Sequence, residues 1–165
     1  VISGDKPKPV LVRAIGPTLG SFGVSGALSS ARLEVFKGSA SLAVGNDWGA
    51  GTAADAIAAA ATRVGAFALA ANSKDAALLL TLAPGDYSAV VTGQAGATGW
   101  ELVLLLYLTG SIAPSTMLEL LHVFLGLRIT MNGENGARLM QDQMIFLVTP
   151  PVFIKMQVGQ VIVIG

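Results

Sequence analysis

The sequence predicts an all-β protein, an antiparallel β-sandwich of the jelly-roll type with one short, Ala-rich helix at about 53–64. Two observations support this prediction. Short apolar segments that alternate between two faces recur along the chain, and clusters of Gly, Pro, Asn and Ser separate them at fairly regular spacing. Among the first hundred residues, only the segment at 53–64 has a composition typical of a helix. About ten short strands with such turns are typical of a sandwich or a jelly roll.

The length of the chain favours one domain. Its composition implies that an unusually large apolar surface must be buried. The chain has 165 residues, and we expect a single domain over positions 1–165. Hydrophobic residues make up 53% of it and charged residues only 12%, whereas soluble domains are typically about 25% charged. This surface must lie in a two-sided core or between subunits. The longest uncharged stretch, 102–118, contains Gly110 and Pro114, so we expect no membrane span.

Charge and cysteine content exclude several classes of function. Ten basic and ten acidic residues are scattered singly along the chain. They form no basic stripe of the kind that neutralises phosphates, so we expect no nucleic acid partner. Cysteine is absent, which excludes disulfides and zinc–thiolate sites.

The first segments predict a strand followed by a loop. Positions 9–16 alternate, with Leu11 and Ile15 on the same face as Arg13, which we expect to be exposed to solvent. The segment 17–30 is rich in Gly and Ser and predicts a long loop. Its apolar side chains are expected to point inward; they are Leu19, Phe22, Val24 and Leu28.

A hairpin and the helix come next. Segments 32–36 and 41–44 are expected to pair around a turn that contains Gly. The helix at about 53–64 consists almost entirely of Ala, which has the highest helix propensity. Thr52 and Asp55 have the spacing of a capping box at its start, with Asp in the place of the usual Glu or Gln.

Three more strands follow the helix. Positions 75–82 are expected to form a buried strand, and a Pro-Gly-Asp turn at 84–86 leads into an alternating strand at 87–91. We expect the ring of Tyr87 to point inward and its hydroxyl to reach a backbone partner. A longer strand is predicted at 100–108.

The sequence from 117 to 157 is compatible with either strands or a helix. Positions 117–127 combine residues that favour a helix with Val and Phe, which suit a strand equally well. Segments 144–149 and 152–157, on either side of two prolines, predict strands, and 160–164 predicts the last one.

Four separated motifs at 10–19, 45–49, 63–69 and 75–93 resemble a tandem β-sandwich repeat of large secreted and surface proteins of bacteria. The same order of motifs is similar, more weakly, to the bacterial pre-peptidase C-terminal domain. The resemblance covers positions 1–116. It implies a jelly-roll-like module without catalytic activity, located outside the cell or on its surface.

Two apolar segments with a similar pattern suggest how copies of the chain assemble. The candidate assembly residues are Val1, Ile2, Val161, Ile162, Val163 and Ile164. One sheet position can hold only one of the two segments, so we expect at least one to pair with a neighbouring subunit, with 158–165 as the candidate donor strand. The predicted function is a structural subunit that forms a homopolymer, either a filament or a surface layer. The alternative is a carbohydrate- or surface-binding accessory module of a larger secreted protein.

No residue pattern indicates an enzyme. His122 is the only histidine and lies in an apolar stretch, and no G-x-S-x-G motif surrounds any serine. The carboxylates form no local cluster of the kind that glycoside hydrolysis requires. We therefore expect no catalytic residues and no organic cofactor.

One loop offers candidate binding residues. Asn46 and Asp47 carry the oxygen ligands that calcium prefers, although the same pair before Trp-Gly is also common in an ordinary turn. Trp48, next to this pair, is the candidate for stacking on a glycan. Calcium and a glycan are thus the two candidate ligands.

Overall fold

The computed structural model describes residues 1–97, 99–108, 144–147 and 152–158. These residues form eight β-strands, one α-helix, α1, at Ala54–Arg63, and two short 3-10 helices at Pro17–Phe22 and Gln94–Gly96. The strands are β1 Lys8–Ile15, β2 Ala31–Lys37, β3 Ala40–Asn46, β4 Ala76–Leu82, β5 Ser88–Gly93, β6 Trp100–Tyr107, β7 Met144–Leu147 and β8 Val152–Val158.

The strands form two antiparallel sheets, which confirms the predicted all-β, sandwich-like fold with one small helix. The first sheet has the strand order β4-β1-β6-β8-β7, and the second has the order β3-β2-β5. Every strand pairing is antiparallel. The predicted hairpin is formed by β2 and β3, and β7 and β8 form the two strands predicted on either side of the prolines.

Both faces of strand β1 are buried. It pairs with β4 on one side and with β6 on the other. One face contributes to the inter-sheet core, whose members include Val10, Val12, Ala14, Leu33, Val35, Val91 and Val103. The other face contributes to the helix-side core, whose members include Leu11, Ile15, Leu19, Ile57, Ala61, Leu69 and Leu106.

The expectation that Arg13 is exposed is wrong. Its side chain is only 1% exposed, because α1 and the segment after it cover the β1 face that Arg13 shares with Leu11 and Ile15. Alternation along a strand identifies which residues share a face, but it does not tell which face is covered.

The helix has nearly the predicted bounds, but the predicted capping box is absent. Ala53 occupies the N-cap position, and no side chain caps the helix with a hydrogen bond. Thr52 lies one residue too early to act as the cap. Asp55 lies in the first turn, where a negative charge interacts favourably with the helix dipole.

Strand β4 was expected to be fully buried and is instead an edge strand of the first sheet. From Leu78 to Thr81 its residues alternate between half-buried and exposed positions, and Leu79 is 37% exposed. Three consecutive leucines suit a strand that is covered on both faces, but only the two ends of β4 are fully buried.

The turn before β5 confirms part of the expectation for Tyr87. The Tyr87 hydroxyl donates a hydrogen bond to the Ala83 carbonyl oxygen at 2.9 Å. The ring is half-buried and packs against the inter-sheet core, and the Lys37 ammonium lies 5.6 Å from its centroid. Tyr87 therefore fixes the turn from a position at the border of the core.

In the part of the chain that the structure describes, no helix has the length and hydropathy needed to cross a membrane. The segment at 117–127, whose sequence suits either a strand or a helix, lies outside the described residues. His122 belongs to this segment.

Glu101 is a buried carboxyl group on β6. It lies two residues before Val103, so the two side chains share the face that meets the inter-sheet core. Within the described residues, no hydrogen-bond donor contacts its Oε1 atom. Burial raises the pKa of Glu101 to about 7, because desolvation disfavours the charged form.

The raised pKa of Glu101 predicts that the protein loses stability as the pH rises. The folded chain holds this proton up to about pH 7, whereas the unfolded chain releases it near the ordinary pKa of a glutamate. The free energy of unfolding should therefore fall by up to about 3 kcal/mol between about pH 5 and pH 8. Urea unfolding at several pH values measures this slope.

Glu101→Gln is the control, because it keeps the shape of the side chain and removes its titration. The variant should lack the part of the slope that Glu101 causes, while every other titrating group still contributes. Equal slopes for the wild type and Glu101→Gln would contradict the assignment.

Candidate functional site

A buried aspartate joins the end of β1 to the segment that precedes β4. The carboxylate of Asp75 is fully buried and accepts a hydrogen bond from the Gly16 backbone N–H at 2.7 Å. It also accepts bonds from the Thr18 backbone N–H at 3.3 Å and from the Thr18 hydroxyl. The Ser73 hydroxyl donates the fourth bond at 2.5 Å. These donors satisfy both carboxylate oxygens, which a buried charge requires.

The same hydroxyl groups extend this network to the loop that contains Trp48. The Trp48 backbone N–H donates to the Asp75 carbonyl oxygen at 2.9 Å. Its indole N–H lies 3.1 Å from both the Ala70 carbonyl oxygen and the Ser73 hydroxyl. The Ala70 backbone N–H donates in turn to the Thr18 hydroxyl at 3.2 Å. The network therefore fixes three segments that are distant in sequence.

Gly16 occupies a position in this network where no side chain fits. A Cβ atom at Gly16 would lie 2.5 Å from the carbonyl oxygen of Leu28. This distance is far below van der Waals contact, so the close approach of the two backbones requires glycine. Gly16 can then present its N–H to Asp75.

Arg13 lies beside this network in the helix-side core. Its Nη2 donates to the Phe67 carbonyl oxygen at 2.8 Å, and its Cζ lies 4.7 Å from the centroid of the Phe67 ring, a cation–π contact. Within the described residues, Nε and Nη1 have no hydrogen-bond partner. Burial lowers the pKa of Arg13 to about 10, and the negative charge of Asp75 opposes this shift. Arg13 is therefore still a cation at neutral pH.

A pocket of about 110 Å³ lies between α1 and β1, and Arg13 is the only charged residue that lines it. The rest of the lining comes from Trp48, from four residues of α1 and from the segment 66–69. Ala58 and Thr62 are exposed and form part of the pocket mouth. We call this space the Arg13 pocket.

The structure places the two predicted calcium ligands next to each other at the end of β3, with Asp47 engaged in an ion pair. Asn46 is exposed, and Asp47 follows it with a φ of 49°. The Asp47 Oδ2 atom accepts a hydrogen bond from the Lys74 ammonium at 2.9 Å. Among the described residues, no three His, Cys, Asp or Glu side chains come close enough to hold a metal ion. Calcium binding at Asn46 and Asp47 stays a prediction.

Trp48 lies where a ligand in the Arg13 pocket would contact it. Its ring is half-buried and packs against the helix-side core, and its indole N–H is already hydrogen-bonded within the chain. The ring therefore contributes mainly apolar surface to the pocket. Stacking of Trp48 on a glycan stays a prediction.

The candidate assembly residues that the structure describes occupy different environments. Val1 is 48% exposed, whereas Ile2 is 3% exposed and belongs to the inter-sheet core. The backbone of Ile2 exchanges two hydrogen bonds with Gly85, at 2.8 and 2.9 Å. This placement argues against Ile2 as an assembly residue, because its side chain and backbone already bind within the same domain.

The second group of candidate assembly residues lies outside the described residues; it comprises Val161, Ile162, Val163 and Ile164. Val158, the first residue of the candidate donor strand 158–165, is the last residue of β8. It pairs with Trp100 of β6 in the same sheet. Any donor strand must therefore begin after Val158.

The edge strands β3 and β4 expose apolar side chains, those of β3 on the outer face of the second sheet and that of Leu79 on the helix side of the first sheet. Leu42 and Val44 of β3 are 49% and 44% exposed, and Leu79 of β4 is the third large exposed hydrophobic residue there. The two strands lie close together, since a Cβ atom at Gly45 of β3 would lie 3.0 Å from the Leu78 side chain of β4. We call this surface the β3–β4 edge.

Sequence reasoning missed Arg13 and Asp75 as parts of a site. One signal could have identified Arg13, because it is the only polar residue between Pro9 and Ile15. The signal for Asp75 is weaker, since an acidic residue directly before an apolar strand also suits an exposed turn. Their roles depend on contacts across more than fifty residues.

The Asp75 network predicts that Asp75→Asn destabilises the protein strongly. An amide at this position replaces one oxygen with an NH₂ group, so either the two backbone N–H donors at Oδ1 or the two hydroxyl donors at Oδ2 lose their acceptor. It also removes the negative charge that Arg13 interacts with. We expect the free energy of unfolding at pH 7 to fall by about 2–4 kcal/mol.

Urea unfolding followed by tryptophan fluorescence measures this effect, because Trp48 is bonded to the network. Asp5→Asn removes the same charge from an exposed position and should leave the unfolding free energy nearly unchanged. If the two variants lose equal stability, the Asp75 network does not hold these segments together.

No protein-family model matches the chain, and neither the curated proteins nor the solved structures contain a significant match. These comparisons do not bear on the resemblance to bacterial surface repeats, which stays a prediction. The only functional information is therefore the geometry of the Asp75 network, the Arg13 pocket and the β3–β4 edge.

Proposed function

We propose that this chain is a structural subunit, without catalytic activity, that assembles outside the cell or on its surface by β-strand addition between copies. The β3–β4 edge supports this proposal, and β3 is the acceptor strand. Its free edge receives an apolar strand of a neighbouring copy, for which residues 161–164 are the candidate. The extracellular location depends on the resemblance to bacterial surface repeats.

The free edge of β3 has one feature that opposes strand addition, a bulge at Leu42 in its register with β2, but it lacks two others. Its outer side pairs with no strand in the described part of the chain. Its seven residues, Ala40–Asn46, include no charged residue and no proline. Natural edge strands usually carry a lysine, a proline or another device that blocks pairing. An edge without a charge or a proline can accept another strand.

The exposed side chains on β3 give an added strand something to pack against. Val44 lies opposite Glu34 in the register with β2, so its side chain is on the outer face of the second sheet. A strand added beside β3 would place its own side chains next to Val44 and Leu42. Full burial of one such branched side chain contributes about 2 kcal/mol before the costs of association.

The acceptor and the donor are different parts of the chain, which determines the form of the assembly. A contact between two different surfaces is heterologous, and it produces a ring or an open filament rather than a closed dimer. The low content of charged residues is consistent with burial of additional surface between copies. A filament or layer is therefore the expected product.

Val44→Lys tests the acceptor strand. A lysine on the free edge would oppose pairing with a second strand, and the exposed side chain at this position makes the substitution compatible with folding. We expect the variant to remain a folded monomer where the wild type forms polymers. Sedimentation velocity and negative-stain electron microscopy measure the difference. Ala59→Lys introduces the same charge on an exposed position of α1 and should assemble like the wild type.

Two results would contradict the proposal. The first is a wild-type chain that stays monomeric at every concentration, and the second is a Val44→Lys variant that forms the same filaments. Removal of residues 161–165 tests the donor separately. If the shortened chain still polymerises while Val44→Lys does not, β3 accepts a different strand.

The Arg13 pocket favours a second candidate function, a carbohydrate- or surface-binding accessory module. Trp48 borders the pocket and could contribute an aromatic face to a sugar ring. A glycan array with the wild type, Trp48→Phe and Trp48→Ala tests this function. Binding that persists in Trp48→Phe and disappears in Trp48→Ala supports stacking, provided that circular dichroism shows both variants folded. Absence of wild-type binding excludes the glycans on the array.

A further inference from the structure

We propose that β4 takes part in recognising the donor strand, because the sandwich is open between the edges of β3 and β4 and the inward-facing side chains of the donor close this opening. The site selects a strand whose alternate residues are apolar and branched, and residues 161–164 of another copy supply it in trans. This inference rests on the proposed function and adds to it the floor of the site, the register of pairing and the source of the donor. We call the space between the two edges the edge cleft.

Two leucines of β4 form the floor of the edge cleft. Leu78 and Leu80 lie opposite Val12 and Val10 of β1, so they share the face that meets the inter-sheet core. The two valines are fully buried, whereas Leu78 and Leu80 are only half-buried. The floor leucines therefore keep apolar surface exposed at a side of the sandwich where no strand follows β4 within the described residues.

The roof of the edge cleft is β3, whose inward-facing positions carry very small side chains. Ala43 and Gly45 lie opposite Val35 and Leu33, two β2 residues of the inter-sheet core. A Cβ atom at Gly45 would lie 3.0 Å from the Leu78 side chain, so the two strands approach closely. Neither Ala43 nor Gly45 is fully buried. A strand added beside β3 would place its inward-facing side chains over the exposed parts of the floor leucines.

The bulge at Leu42 limits the length of the pairing. The register of β3 with β2 is regular from Ala43 to Asn46 and shifts at Leu42. Because a bulge disrupts the row of backbone groups along an edge, the regular acceptor is four residues long. The candidate donor 161–164 consists of four branched apolar residues. Two of them face inward in either strand direction, since alternate residues of a strand point to opposite faces.

The same copy cannot supply the donor, because the chain after β8 is too short to reach the free edge of β3. In the first sheet, β6 and β1 separate β8 from β4, which corresponds to three strand spacings, or about 14 Å. Strand β3 packs over β4, and its free edge faces away from β2 and therefore away from β8. The three residues from Val158, the end of β8, to Val161 span at most about 11 Å. Another copy must supply the strand.

A mixture of two variants that do not polymerise tests the source of the donor. Val44→Lys blocks the acceptor and keeps the donor, whereas removal of residues 161–165 deletes the donor and keeps the acceptor. We expect each variant alone to be monomeric. The mixture should form a complex with one copy of each, because this complex has no further donor or acceptor. Sedimentation velocity measures its mass, and a chain that carries both changes is the control that should bind neither variant.

Cross-linking in this mixture tests the floor of the edge cleft. The chain contains no cysteine, so a short bifunctional maleimide joins only introduced cysteines. Leu80→Cys in the chain without a donor should cross-link to only one of two donor variants, Ile162→Cys or Val163→Cys, since their side chains point to opposite faces. Leu79→Cys is the matched control on the opposite face of β4 and should cross-link to neither. Leu78→Cys repeats the test at the second floor position.

The outcomes separate this inference from the proposed function. A wild type that stays monomeric at every concentration overturns both. If the wild type polymerises but the mixture of Val44→Lys and the shortened chain forms no complex, the donor is not 161–164 acting in trans, and this inference fails alone. If the complex forms but Leu79→Cys cross-links as efficiently as Leu80→Cys, β4 is not the floor of the site, although strand addition to β3 stands.

Discussion

The fold depends on one constraint, which is that the buried charge of Asp75 must be satisfied completely. A carboxylate in a core is tolerated only where several donors surround it, and here the donors come from the end of β1 and from Ser73. Satisfying Asp75 therefore fixes the position of β1 relative to β4. The same hydroxyl groups bind Trp48 and Ala70, so the loops that cover the helix side of the sheet are placed by the same charge.

The placement of these loops explains why an arginine can lie inside an apolar protein. The chain after α1 passes over β1, and Phe67 offers Arg13 both a carbonyl oxygen and an aromatic face. Asp75 supplies the opposite charge nearby. The helix side of the first sheet thus contains one buried cation and one buried anion that do not touch. The Asp75 network and the Arg13 pocket therefore occupy the same small region, and the β3–β4 edge is separate from it.

Much of the fold could be predicted from the sequence, and the failures share one cause. Strand alternation and the Ala-rich run predicted the hairpin of β2 and β3 and the bounds of α1, because these signals are local. The exposure of Arg13 and the burial of β4 were predicted wrongly, because they depend on which elements cover a face after the sheets form. The candidate site was predicted only at Trp48. Its partners Arg13 and Asp75 come together through contacts over distances in sequence that no local pattern encodes.

The long sequence separation within the Asp75 network also has a consequence for how the chain folds. Gly16 and Asp75 are 59 positions apart, and Thr18 and Asp75 are 57 apart. Such contacts form only after a large loop has closed, so proteins that rely on them fold slowly. These bonds join segments that come together only when β1 and β4 have aligned. Interactions that form late in folding slow unfolding more than they speed folding.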